Sequence, residues 1–241
     1  MSNPSTFVLV FYGLPFALVI ITVVWRIRFN FKEKRFMQAA AAALGFTYEQ
    51  ALMASPTLGN FFLHGGSFLN VISGERNSIP TRAFDYRFTV GSGKNRHTEY
   101  YTIFETTYPY ALPHIILKPR TFIDIEIAPF GTHLEPLKLE GDFSKYFDLF
   151  AEKNLEVDIY EIFTPDIMTD FIDKIKGLHF ETFGQHLYLI KKGWVSRQND
   201  FNQLMDATDF ISTSLLPHFK ETSADTATME TLDKNPTALT S

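Results

Sequence analysis

The 241-residue chain contains no cysteine. Disulfide staples, thiolate nucleophiles and cysteine-ligated zinc are excluded together. The compartment is not, since a cysteine-free domain can sit on either side of a membrane. Tryptophan is scarce, at two residues, and positive charge is in deficit. Lys and Arg number 22 against 27 Asp and Glu, for a net charge of −5. A protein that grips nucleic acid through a basic surface needs the opposite balance, so no nucleic-acid partner is expected.

Complete catalytic signatures are missing as well. Gly91-Ser92-Gly93-Lys94 looks like the end of a phosphate-binding loop. Aligned on the required Gly-x-x-x-x-Gly-Lys-Ser/Thr spacing, it places Phe88 where the first glycine belongs and Asn95 where the hydroxyl belongs. It also lies between two expected strands instead of opening a helix, so a hairpin turn is the better assignment. His64-Gly65-Gly66-Ser67 is similar to an esterase oxyanion segment, but no Gly-x-Ser-x-Gly elbow accompanies it.

Phenylalanine is abundant, at 25 residues, and 45% of the chain is apolar, enough to build a sizeable core. Residues 7–25, FVLVFYGLPFALVIITVVW, form a charge-free run. As a helix it would cover about 28 Å, close to the hydrocarbon thickness of a bilayer. Arg26, Arg28, Lys32, Lys34 and Arg35 follow, whereas the preceding MSNPST carries no basic side chain. The positive-inside rule then predicts a single-pass anchor in the inner membrane, touching lipid through residues 7–25, with the remaining chain cytoplasmic. A secretory signal would carry its charges on the other side of the run.

An α+β organisation follows: one transmembrane helix, then one mostly antiparallel β-rich domain ending in an amphipathic helix. The boundaries are 1–30 for the anchor and its basic cluster, 31–45 for a connecting helix, 46–218 for the soluble domain and 219–241 for a disordered tail. The tail is polar and Thr-rich, unable to recover its ordering entropy by burial.

Strands are expected over 70–76, 80–90, 97–106, 114–119 and 122–127, with a short one near 136–141. In the second, Phe84, Tyr86, Phe88 and Val90 share one face. Thr164-Pro165-Asp166 signals a helix start, followed by a stripe of Ile167, Met168, Phe171, Ile172 and Ile175 up to Gly177. Residues 178–191 propose a hairpin turning at Gly184-Gln185. An amphipathic helix over 197–216 closes the domain, with Phe201, Leu204, Met205, Thr208, Ile211 and Leu215 on its apolar side.

The best metal candidate lies on that hairpin, where His179, Glu181 and His186 share a face beside Phe183. Leu187, Leu189 and Phe180 fill the opposite face, so the His/Glu face is expected to be the solvated one. No ligand-spaced motif supports a metal, and none is assigned; no cofactor is expected either. Asp124 with Glu126, and Asp158 with Glu161, are carboxylate pairs on expected surfaces. His97, His114, His133 and His218 look scattered and unpaired.

Residues 84–104 (FDYRFTVGSGKNRHTEYYTIF), LPHIILKP, LEGDFSKYFDLFA and YEIFTPDIMTDFID together resemble a group of bacterial membrane-anchored proteins of unknown function. The resemblance covers about 60–218 and rests on turns, caps and aromatic strands. It implies a shared fold and carries no activity to any residue. The expected role is a membrane-anchored cytoplasmic binding module, with an unidentified protein or peptide partner or a second copy of itself. The alternative is a membrane-tethered hydrolase using histidine and carboxylates; no catalytic residue is assigned.

Overall fold

The computed structural model describes residues 14–52, 59–62, 65–120 and 134–217. Among the described residues nine strands form one sheet: β1 (Thr47–Ala51), β2 (Ser67–Arg76), β3 (Ile79–Val90), β4 (His97–Thr107), β5 (Ile115–Pro119), β6 (Leu134–Leu137), β7 (Phe147–Glu152), β8 (Leu178–Phe183) and β9 (His186–Lys192). Their order is β1-β2-β3-β4-β9-β8-β5-β7-β6, and every neighbouring pair is antiparallel. Both edge strands are short, which limits the unpaired backbone offered to other chains.

Helices cover one face. α1 (Leu14–Leu44) precedes the sheet; α2 (Phe143–Tyr146), α3 (Glu156–Ile162) and α4 (Pro165–Ile175) lie between β6 and β8, interrupted by β7; α5 (Gln198–Ser214) follows β9. Ile72, Phe104, Leu117, Phe180 and Leu189 of the sheet pack against Met37, Ala40 and Ala41 of α1, Phe171 of α4, and Phe201 and Leu204 of α5. The second face carries an aromatic cluster of Phe68, Phe84, Tyr86, Phe88, Tyr101 and Tyr188. A short 3-10 turn at Asn60–Phe62 drops Phe61 and Phe62 into it. Both faces are therefore covered at the centre of the sheet. Leu187, Tyr188, Leu189 and Ile190 of β9 are all fully buried, and each large side chain removed from water contributes about 1.5–3 kcal/mol.

α1 docks through its C-terminal half. Glu33, Met37, Ala40 and Ala41 recur at helical spacing and are buried. The helix stops because Gly45 takes the left-handed region at φ 69°, where a Cβ is strained. The Phe46 N–H then reaches the Ala41 carbonyl at 2.8 Å and the Gly45 N–H the Ala42 carbonyl at 3.4 Å, a Schellman termination.

The expected membrane span is corrected here. Among the described residues no helix is long and apolar enough to cross a membrane. The charge-free part of α1 covers only 14–25 before Arg26, about 18 Å of helix against roughly 30 Å of hydrocarbon. The helix then continues unbroken through its charged segment onto the sheet. The remainder of the run, 7–13, lies outside the described residues. The single-pass inner-membrane placement, with a cytoplasmic domain and lipid contact through 7–25, rested on that span and is withdrawn with it.

Local boundaries also differ from those expected. β7 occupies 147–152, where no element is expected, and β6 lies at 134–137 instead of 136–141. The strand expected at 122–127 and the tail at 219–241 fall outside the described residues.

Candidate functional site

Strand register assembles the chemistry-bearing residues on the second face. Arg82 of β3 stands opposite Glu105 of β4, Glu105 opposite Tyr188 of β9, and Tyr188 opposite Glu181 of β8. Side chains alternate along each strand, so these four form one row across four adjacent strands. His186, opposite Thr107, lies in the next row towards the turn, and His179, opposite Ile190, in the next row on the other side.

Glu105 is 1% exposed and saturated with donors. Arg82 grips it with both arms of its fork, Nε to Oε2 at 2.9 Å and a terminal nitrogen to Oε1 at 2.8 Å. His186 Nδ1 lies 2.9 Å from the same Oε1. Burial alone would raise this carboxyl, but the hydrogen bonds from His186 and Arg82 prevail and hold it below the ordinary range.

Glu181 is wholly buried. Its Oε2 accepts the Phe61 backbone N–H at 3.1 Å, and its Oε1 lies 3.3 Å from His114 Nε2. His179 Nε2 is 3.8 Å from Oε2. Burial again pushes the carboxyl upward, yet His114, His179 and the Phe61 N–H together bring it down to about 2. The backbone passes directly above it. A Cβ placed on Gly59 would sit 2.3 Å from Glu181 Oε1, so a larger residue there would have to push the carboxylate off its donors. Glu181 is thus a clasp that holds the 59–62 turn against the sheet, and with it the Phe61 and Phe62 plugs.

The hairpin turns at Gly184-Gln185 with a positive φ (59°) at the glycine alone, as a II′ turn requires. His179, Glu181 and His186 do share a face, but it is buried at His179 and Glu181 and half-buried at His186, contrary to the solvated face expected. That expectation assumed one wet side to the hairpin, whereas the aromatic cluster and the 59–62 turn cover it. The three residues do not converge: His186 serves Glu105, and His179 serves Glu181. His114, expected to be unpaired, is the partner that sequence reasoning missed; it precedes β5 and reaches Glu181 from the adjacent strand. Among the described residues no group of three or more His, Asp or Glu side chains is placed to hold a metal ion.

The other flagged residues lie elsewhere. Asp158 and Glu161 are on the outer side of α3. His97 pairs with Glu99 at 3.2 Å at the end of β4. His64, Asp124, Glu126, His133 and His218 are outside the described residues. Gly91-Ser92-Gly93-Lys94 connects β3 to β4, with positive φ at both glycines. A Cβ on Gly91 would meet the Asn95 carbonyl oxygen at 2.4 Å. This stretch is a hairpin loop holding one 3-10 turn (Gly93–Asn95), and it leads into β4 with no α-helix behind it to receive a nucleotide phosphate.

The row offers fixed charge whose donors are all supplied by the protein itself. A general acid or base needs a carboxyl or imidazole with free valence facing a substrate. Both carboxylates here spend their oxygens on protein donors and lie out of reach of solvent.

The chain matches no family model, and no curated protein matches it in sequence. In fold it is similar to the mycobacterial trehalose monomycolate transport factor A, TtfA, whose crystal structure superposes with a TM-score of 0.51 at 10% identity. The match covers 73% of this chain and 89% of that one, and it shows a shared fold.

Proposed function

We propose that this chain is a binding module that engages a protein or peptide partner, and that it performs no chemistry with its histidine and carboxylate residues. The observation that carries this reading is the saturation of Glu105 and Glu181 by Arg82, His186, His114 and the Phe61 N–H. A hydrolytic site would keep such groups poised in an open cleft. The fold likeness to TtfA adds support of a different kind, since that protein is a transport factor.

A contact surface is available on the first half of α1. Phe16, Leu18, Val19, Ile20 and Ile21 are 47–67% exposed. Contiguous apolar side chains left in water at this density mark a surface that another molecule covers. The experiment is photo-crosslinking in the native cell from Ile20, with exposed Gln38 as the control position, alongside a panel of ester, phosphoester and glycoside substrates. The reading expects a discrete protein adduct from position 20 only, and no turnover. Turnover that disappears in H114A or H186A would replace it with the hydrolase reading.

A further inference from the structure

A second polar site lies on the helix-bearing face, beyond the part of the sheet that the helices cover. Gly65, Gly66, Ser67, Arg87, Phe88, Thr89, Thr98 and Tyr100 line an open cleft of about 290 Å³, at the lower end of the range for small-molecule sites. Register places it: Ser67 of β2 is opposite Arg87 of β3, Arg87 opposite Tyr100 of β4, and Thr89 opposite Thr98. The Thr89 and Thr98 hydroxyls are 3.4 Å apart. Gly66 is required where it is, because a Cβ there would sit 2.4 Å from the Tyr86 ring and 2.6 Å from the Arg87 carbonyl oxygen.

The cleft's polar inventory is one guanidinium and several hydroxyls, with no carboxylate. Arg87 has neither an ion pair nor a hydrogen-bond partner among the described residues, unlike Arg76, Arg82 and Arg120. No acidic residue occurs between Arg87 and Thr98, while Lys94 and Arg96 do. In a chain of net charge −5 this is a local concentration of positive charge. A planar fork flanked by hydroxyl donors suits a tetrahedral oxyanion better than a carboxylate, which offers only two oxygens. The Tyr100 ring, with Trp194 edge-on at 4.8 Å, makes a wall for whatever carries the anion.

We infer that this cleft binds a phosphate monoester, with Arg87 as the principal anion ligand and Ser67, Thr89 and Thr98 completing the donor set. The inference goes beyond the interaction role proposed above and does not depend on it. The phosphate can come from a soluble metabolite or from a lipid headgroup. Trp25 and Trp194 are the two tryptophans, so W25F leaves Trp194 as the sole indole reporter behind the cleft. That full-length variant is titrated with glycerol 3-phosphate, glycerol and acetate at matched ionic strength. In parallel it is sedimented with phosphatidylcholine vesicles with and without phosphatidic acid.

The expected result is a saturable fluorescence change with glycerol 3-phosphate, or sedimentation that depends on phosphatidic acid. The first outcome assigns a soluble ligand and the second a headgroup. Adding R87A should weaken either by about tenfold or more, with R87K intermediate because it keeps the charge and loses the fork. Arg87 is exposed, so R87A should keep the thermal midpoint of its parent. Binding unchanged in R87A, equal affinity for acetate, or no response to either phosphate source would overturn the assignment.

Discussion

At the scale of single residues, the second-face row is a set of commitments made between strands far apart in sequence. Gly59 is an exacting position, because a methyl group there collides with the Glu181 carboxylate and displaces it from its donors. Gly59→Ala should lower stability by about 2 kcal/mol or more, within the range for overpacking, as read from the urea midpoint. Glu105→Gln removes the charge that Arg82 and His186 share. Because Arg82 is partly solvated, the expected loss is about 1.5–3 kcal/mol, the range for hydrogen bonds to charged groups. The sequence made one part of this legible: alternation alone puts His179, Glu181 and His186 on one side of the hairpin. It could not show that His114 joins Glu181, because that contact depends on β5 pairing with β8 across more than sixty residues.

At the scale of elements, local signals served well wherever a backbone requirement fixed them. Thr164 caps α4, its hydroxyl oxygen accepting the Ile167 N–H at 3.4 Å, with Pro165 in the first turn. Thr164→Ala should cost about 1 kcal/mol, measurable as a lower thermal midpoint with an unchanged circular dichroism spectrum. The glycines at 45, 91, 93 and 184 all occupy the left-handed region that ends or turns their elements. β7 was missed although Phe147, Leu149 and Ala151 alternate with less buried neighbours. The segment is six residues long and follows a one-turn helix directly, so no turn residue separates the two periods. For α1 the charge-free run was real, but hydropathy does not reveal that the same helix carries its charged half onto a sheet. Met37, Ala40 and Ala41 bury against strands that arrive later in the chain.

At the scale of the whole molecule, both faces of the sheet are covered, and that sets an electrostatic balance no strand pattern could reveal. Under α1, Glu33 is wholly buried and neither carboxyl oxygen has a hydrogen-bond partner among the described residues. Burial and the nearby Asp85, opposed by Lys32, raise it from 4.5 to about 8. Asp85 is raised to about 7 by burial, despite hydrogen bonds from Asn70 and Thr102 at 2.8 Å each. For these two groups the folded chain binds more protons than the unfolded one between about pH 4 and pH 8, so their linkage lowers stability as pH rises through that window. Glu105 and Glu181 act in the opposite sense. Their folded values are depressed, so their contribution is present above the unfolded carboxylate range and is lost as pH falls from about 4.5 towards 2. The thermal midpoint should therefore peak at about pH 5 and decline towards pH 8, and E33Q should flatten the alkaline side while leaving the acid side in place. The central claim is that the histidine–carboxylate row is a structural clasp of a binding module. Its most direct test is a double-mutant cycle of E181A and H114A, followed by urea unfolding of the full chain. The clasp predicts that E181A is destabilised by about 3 kcal/mol or more and that the two substitutions couple by about 1 kcal/mol or more. E181A as stable as the parent or more so, as expected when a strained catalytic group is removed, together with no coupling to His114, would contradict it.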